Sequence, residues 1–185
     1  MIKILVLIGR TCSGKDTVVN NLVKKYGFKK LTTYTSRPKR KGEKDGITYH
    51  YISEDEFKQK INEGFFAEWK TYNTEFGIWY YGTALDDLEK ADDKTVIILT
   101  PDGYRDVKDM LPSNSKAIYI YANNATIKKR LVERGDNEKE AQRRLEHDIK
   151  DFKGVENEVD RIVYNNYDTK IEDVIKKILD FVEDK

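Results

Sequence analysis

The sequence predicts an α/β domain built on a mostly parallel sheet with helices on both faces. Three observations predict it. Short apolar runs, Ile4–Ile8 and Thr95–Leu99, have the length and β-branched content of strands buried on both sides. Segments of helical period alternate with such strands, as parallel pairing demands crossover helices. A chain of 185 residues, 38% hydrophobic and 36% charged, suits one globular domain with a heavily charged surface.

Each element has its own local reason. Lys3–Ile8 reads as a buried strand and Lys15–Tyr26 as a helix closed by Gly27. Phe28–Thr35 is expected as a second strand, running into a basic Pro- and Gly-bearing loop, Ser36–Gly46. Ile47–Ile52 alternates like a short strand. Ser53-Glu54-Asp55-Glu56 is a capping box opening a helix that stops at Gly64. The aromatic stretch Phe65–Tyr81 predicts a hairpin turning at Asn73-Thr74, after which Thr83 caps a short helix to Ala91. Beyond the Thr95–Leu99 strand, Pro101 starts a helix to Leu111, and Ala117–Tyr121 is the next strand. Charged helices Ala125–Arg134 and Glu138–Phe152 are parted by Gly135. Arg161–Tyr164 is the last strand, and Thr169–Val182 the last helix, with Asp168 as cap. Residues 33–83 and 126–152 break the strand–helix alternation and read as insertions into the core.

Composition excludes several classes. Lys and Arg number 34 against 33 Asp and Glu, a net charge of +1, so bulk charge argues for neither nucleic acid nor membrane as partner. The longest apolar run is far too short for a bilayer, and no signal-peptide layout follows Met1. A lone cysteine forms no internal disulfide, which points to a reducing cytoplasm. With one Cys and only His50 and His147, no zinc cluster can be assembled.

The stretch after the first strand carries chemistry. Gly9-Arg10-Thr11-Cys12-Ser13-Gly14-Lys15-Asp16-Thr17 nearly matches the phosphate-cradling pattern G-x-x-x-x-G-K-[ST]. Successive backbone N–H groups around Gly14, at a helix start, form a concave anion site, and Lys15 adds a charge for the β- and γ-phosphates. Asp16 stands where a hydroxyl normally binds Mg²⁺, and Thr17 follows one residue late. Either Asp16, with Thr17, contacts Mg²⁺, or it caps the helix. Cys12 lies among the same N–H groups beside Lys15, a setting that lowers thiol pKa values.

A second basic loop, T-T-Y-T-S-R-P-K-R-K-G-E-K-D-G-I-T-Y over residues 32–49, pairs Arg37 and Arg40 with Tyr49, a set able to grip a second, non-transferring phosphate. This stretch resembles the guanylate kinase signature T-T-R-x-x-R-x-G-E-x-x-G-x-x-Y. Gly64–Trp69 (GFFAEW) and Tyr80–Thr83 (YYGT) resemble further elements of that family. Residues 123–145 resemble its lid, and 161–166 its final strand with the asparagine near adenine. The resemblance spans essentially the whole chain in order.

That resemblance implies a P-loop NTPase fold in a single kinase domain, residues 1–185. Its core would be 1–32, 84–125 and 153–185, with an NMP-binding subdomain at 33–83 and a helical lid at 126–152. ATP would lie on residues 9–17 with Arg130, Arg134 and Asn165. Arg37, Arg40, Tyr49 and Tyr81 would hold the acceptor monophosphate, while Thr33, Glu68 and Thr83 surround its base. Lys15, Arg37, Arg134 and Arg144 would carry the catalysis. The implied partners are ATP with Mg²⁺ and a nucleoside monophosphate, GMP or dGMP first.

Glu68 can accept two N–H bonds from guanine N1 and N2, which adenine cannot donate. The chain departs from the pattern at Asp16, at Thr100 in the place of a base-contacting acid, and in a longer segment from Lys70 to Trp79. These departures keep open a kinase for another deoxynucleotide or a sugar phosphate. A phosphopeptide-binding module on the same fold is the third reading, and the intact Gly14-Lys15 argues against it.

Overall fold

The structure, a computed structural model, describes residues 2–135 and 137–183. Met1, Asp136, Asp184 and Lys185, which the expected boundaries take in, lie outside the described residues. In chain order the elements are β1 (Ile4–Ile8), α1 (Lys15–Tyr26), β2 (Lys29–Lys30), β3 (Tyr34–Thr35) and β4 (His50–Tyr51). Then follow α2 (Glu54–Asn62), β5 (Phe66–Thr74), β6 (Gly77–Ala84), α3 (Leu85–Glu89), β7 (Thr95–Ile98) and α4 (Pro101–Val107). The chain ends with β8 (Lys116–Tyr121), α5 (Asn124–Arg134), α6 (Glu138–Asp151), β9 (Arg161–Tyr164) and α7 (Ile171–Val182). Two compact units result: Met1–Lys30 with Asp92–Tyr104 and Leu111–Lys185, and Leu31–Ala91 with Arg105–Met110.

The first unit holds a five-stranded, all-parallel sheet ordered β2-β7-β1-β8-β9. Every residue of β1 is buried, so the central strand is covered on both faces, as its unbroken apolar run requires. Leu5 and Leu7 pack in one cluster with Val18, Val19 and Leu22 of α1 and Val174, Ile175 and Ile178 of α7. Burying such side chains is worth about 1.5–3 kcal/mol each and fixes α1 against the sheet. The chain leaving β1 emerges between the ends of β7 and β8, at the carboxyl edge where open α/β sheets bind ligands. Among the described residues no helix is long and apolar enough to cross a membrane.

The second unit holds a four-stranded sheet ordered β4-β3-β6-β5, antiparallel except between β3 and β4. Its core is aromatic: Phe57 of α2 stacks on Phe66 at 4.4 Å and lies 5.3 Å from Tyr80. Strand alternation puts Glu68 and Lys70 of β5 on one face, opposite Thr83 and Tyr81 of β6.

Several expected elements are corrected. Phe28–Thr35 is not one strand but two short ones, β2 and β3, in different sheets. Only Phe28 and Leu31 are buried and apolar there, too few to hold a continuous central strand. Ile47–Ile52 shrinks to His50–Tyr51, because Lys44 O draws Ile47 N and Thr48 N into a turn (3.2 and 2.8 Å). The hairpin turns at Glu75-Phe76, not Asn73-Thr74: the Thr74 hydroxyl accepts from Phe76 N (3.1 Å) and donates to Gly77 O (2.8 Å). Thr83 stays inside β6, its hydroxyl committed to Glu68, and α3 starts after Ala84 with no side-chain cap. The helix from Pro101 ends at Val107 in a 3₁₀ turn, Lys108–Met110. Asp168 caps nothing, since α7 begins after Lys170. The Ser53 half of the capping box is present, with its Oγ accepting from Glu56 N at 3.1 Å.

Candidate active site

The loop between β1 and α1 brings residues 9–17 together as expected. Two glycines shape it. A Cβ on Gly9 would lie 2.5 Å from Ser13 Oγ and 2.7 Å from Ile120 O, so no larger residue fits. Gly14 precedes α1 at φ +94°, a left-handed conformation that costs other residues roughly 1–2 kcal/mol. Cys12 adopts φ +54° without being glycine, a conformation that marks a loop shaped by its surroundings. Its carbonyl accepts from Arg130 Nη1 at 3.2 Å, and Asn165 Nδ2 donates to Ser13 O at 2.8 Å.

Lys15 points back into the loop, where Nζ donates to Gly9 O and, at 2.9 Å, to Arg10 O. Burial holds this ammonium below its ordinary pKa, against the opposing charges of Asp16, Asp148 and Cys12. Arg10 Nη1 donates to Asn124 Oδ1 at 2.7 Å. Beside the loop a cavity of about 330 Å³ is lined by Cys12, Gly14, Lys15, Asp16, Thr17, Arg130, Arg134 and Asn165, with Thr169 and Ile171. The α1 N-cap is Gly14 with no side-chain cap bond, which leaves Asp16 exposed in the first turn rather than capping it. Arg144 is half-buried on α6 and is not among the residues lining this cavity.

The second unit gathers the other predicted set. Arg37 is buried at 4% exposure, and its Nη2 donates to both carboxylate oxygens of Glu43 (2.8 and 3.0 Å). Its Nη1 donates to Pro38 O at 2.8 Å. Glu43 also accepts from Tyr51 Oη (2.7 Å) and from Arg40 N (2.8 Å). Burial works against this carboxylate, yet the bonds from Arg37, Arg40 N–H and Tyr51 hold it at about 2. The Arg37 guanidinium lies 5.6 Å from the Tyr49 ring, which meets Tyr81 edge-on at 6.0 Å.

Glu68 is buried at 9% exposure and takes a 2.6 Å bond from Thr83 Oγ1. Burial pushes its carboxyl above the usual range, against the pull of Thr83 and Lys70. Lys70, two residues along the same face, pairs with Asp106 at 3.0 Å. Thr33 is half-buried beside β3, and its carbonyl accepts from His50 N at 2.8 Å. Thr100 belongs to the first unit, where its hydroxyl accepts from Gly103 N (3.0 Å) at the start of α4.

Four residues gain parts that sequence reasoning did not give them. Glu43 and Tyr51 orient Arg37, and the signal was present in the quoted R-x-x-R-x-G-E spacing. Asp106 faces Lys70 from the last turn of α4, which no local pattern announces. Asp148 Oδ2 accepts from Thr11 N, inside the phosphate loop, at 2.7 Å. Among the described residues no group of three or more His, Cys, Asp or Glu could hold a metal.

The family model described as guanylate kinase matches residues 1–185. A guanylate kinase of Fusobacterium nucleatum is 29% identical over 182 residues, covering 96% of this chain and 94% of its own. One of Helicobacter pylori is 33% identical over 182 residues, covering 95% and 85%. The crystal structure of guanylate kinase from Anaplasma phagocytophilum shares the fold, with a TM-score of 0.69 at 24% identity over 99% of this chain and 85% of that one. With its whole length matched by that model, the chain belongs to the guanylate kinase family.

Proposed function

We propose that the chain transfers the γ-phosphoryl group of ATP to the phosphate of GMP or dGMP, giving ADP with GDP or dGDP. The observation that carries the acceptor assignment is Glu68. It is buried, bonded by Thr83 at one oxygen, and retains lone pairs that match the N1–H and N2–H donors of guanine. An adenine in its place would leave a buried carboxylate facing an acceptor nitrogen, a loss that makes such sites selective.

An oxygen of the acceptor phosphate forms the new P–O bond as the bond from the γ-phosphorus to the ADP oxygen breaks. That oxygen is already anionic, so no general base is needed, and catalysis is alignment plus charge neutralisation. Arg37, Arg40, Tyr49 and Tyr81 hold the acceptor phosphate, with Arg37 aimed by Glu43. Thr33 and Thr100 are assigned to the acceptor-base side. Lys15 turns from its loop carbonyls to the donor phosphates, and Arg130, Arg134 and Arg144 neutralise the charge that spreads in the transition state.

Mg²⁺ fits the residues present. A hard cation that keeps its waters and binds mainly to phosphates needs one or two protein oxygens, and exposed Asp16 with Thr17 offers them at the cavity. When bound it screens the β- and γ-phosphate charge. A reducing cytoplasm suits a chain with a single cysteine.

The test is a coupled ADP-release assay with ATP and Mg²⁺ against every ribo- and deoxynucleoside monophosphate. Saturable turnover confined to GMP and dGMP is expected. Turnover on another base refutes the Glu68 assignment and keeps the kinase. No turnover on any of them refutes the nucleotide acceptor.

A further inference from the structure

We propose that Asp148 is a built-in competitor of the donor nucleotide: its carboxylate occupies a loop N–H that the donor's phosphate needs, so ATP must expel it to bind. This rests on the reading that residues 9–17 take ATP.

On α6, Ala141, Leu145 and Asp148 fall on one stripe by helical spacing, and Phe152, just past the helix end, continues it. Ala141 and Leu145 pack against the cluster of Ala122, Ile127 and Leu131, and Phe152 lies 5.6 Å from Tyr119. A carboxylate at a position whose period calls for an apolar residue requires a partner of its own. Its partner is Thr11 N–H at 2.7 Å, a charge-assisted bond to an amide of the phosphate loop. Arg10 and Lys15 act on the same carboxylate with opposite charge, Asp151 with like charge. Elsewhere in the loop Lys15 bonds Gly9 O and Arg10 O, while Asn165 donates to Ser13 O and Arg130 to Cys12 O from other elements.

A carboxylate and a polyphosphate cannot share one N–H at hydrogen-bond distance, because both are anions seeking the same donor. The donor's apparent affinity therefore contains the cost of turning the Asp148 carboxylate off Thr11 N–H, a side-chain displacement that leaves Arg144 of the same helix at the donor phosphates. Removing the charge should tighten donor binding even though it deletes a contact of the folded state.

The experiment is calorimetric titration of the full chain, wild type, D148N and D148A, with ADP and with a non-hydrolysable ATP analogue. Asp148→Asn is isosteric and guards against a variant that fails to fold, which melting curves monitor. D148N keeps at most a neutral bond to Thr11 N–H and D148A none, which predicts a dissociation constant lower by about five-fold in D148N and roughly ten-fold or more in D148A. In nucleotide-free protein the Thr11 amide proton should move upfield in D148N and D148A relative to wild type, and saturating nucleotide should move it back downfield. Equal or weaker binding in the folded variants overturns the competitor and leaves the ATP site standing. Absence of binding in all three proteins overturns both.

Discussion

Glu43→Gln isolates the buried pair that aims Arg37. Arg37 and Glu43 side chains are 3% and 19% exposed, so their bond is only slightly screened by water. The carboxyl falls from an ordinary 4.5 to about 2 in the folded chain. At about 1.4 kcal/mol per pH unit, that difference sets a ceiling of roughly 3 kcal/mol on what its ionised form contributes. Because the folded value is depressed, the contribution is complete above pH 4.5 and is lost as pH falls toward 2.

Glutamine keeps the shape but turns an N–H₂ toward a buried guanidinium that keeps its bond to Pro38 O and loses its bonds to the carboxylate. We expect a loss of about 2–3 kcal/mol at pH 7, within what breaking a buried pair costs. Trp69 and Trp79, the two tryptophans of the chain, both lie in the second unit, so their fluorescence during urea unfolding reports the part that holds the pair. The difference between wild type and E43Q should shrink steadily from pH 5 to pH 3. A difference below about 0.5 kcal/mol at pH 7, the size of an ordinary surface substitution, would refute the reasoning. So would one independent of pH.

Lys15→Met removes a charge that the transition state uses more than the ground state. The expected loss in kcat is about 10²–10³-fold, and a change confined to KM would contradict it. Glu68→Gln exchanges one acceptor oxygen for a donor facing guanine N–H groups. It should lower kcat/KM for GMP by roughly 10²-fold, the equivalent of one charged hydrogen bond with its desolvation, while ATP binding stays unchanged in calorimetry.

Elements whose identity depends on nearest neighbours along the chain were legible. The unbroken apolar run of β1, Gly14-Lys15 opening α1, Gly27 closing it and the Ser53 cap are each set within one helical turn, where steric and hydrogen-bond preferences act. The loop residues 9–17 could be named for the same reason. Spacing in sequence is spacing in space when a strand runs directly into a helix.

Other assignments depended on partners far along the chain. Thr83 carries the same hydroxyl whether it caps a helix or bonds Glu68, and only the β5–β6 register chose between them. The split of Phe28–Thr35 between two sheets has no local marker, since which edges are free to pair is a property of the assembled strands. Asp148 shows the limit most clearly. By itself the sequence determined that a carboxylate sits in an apolar helical stripe. Only the packing of α6, 137 residues from Thr11, decided that it meets the phosphate loop, because hydrogen bonds are settled by distance in space.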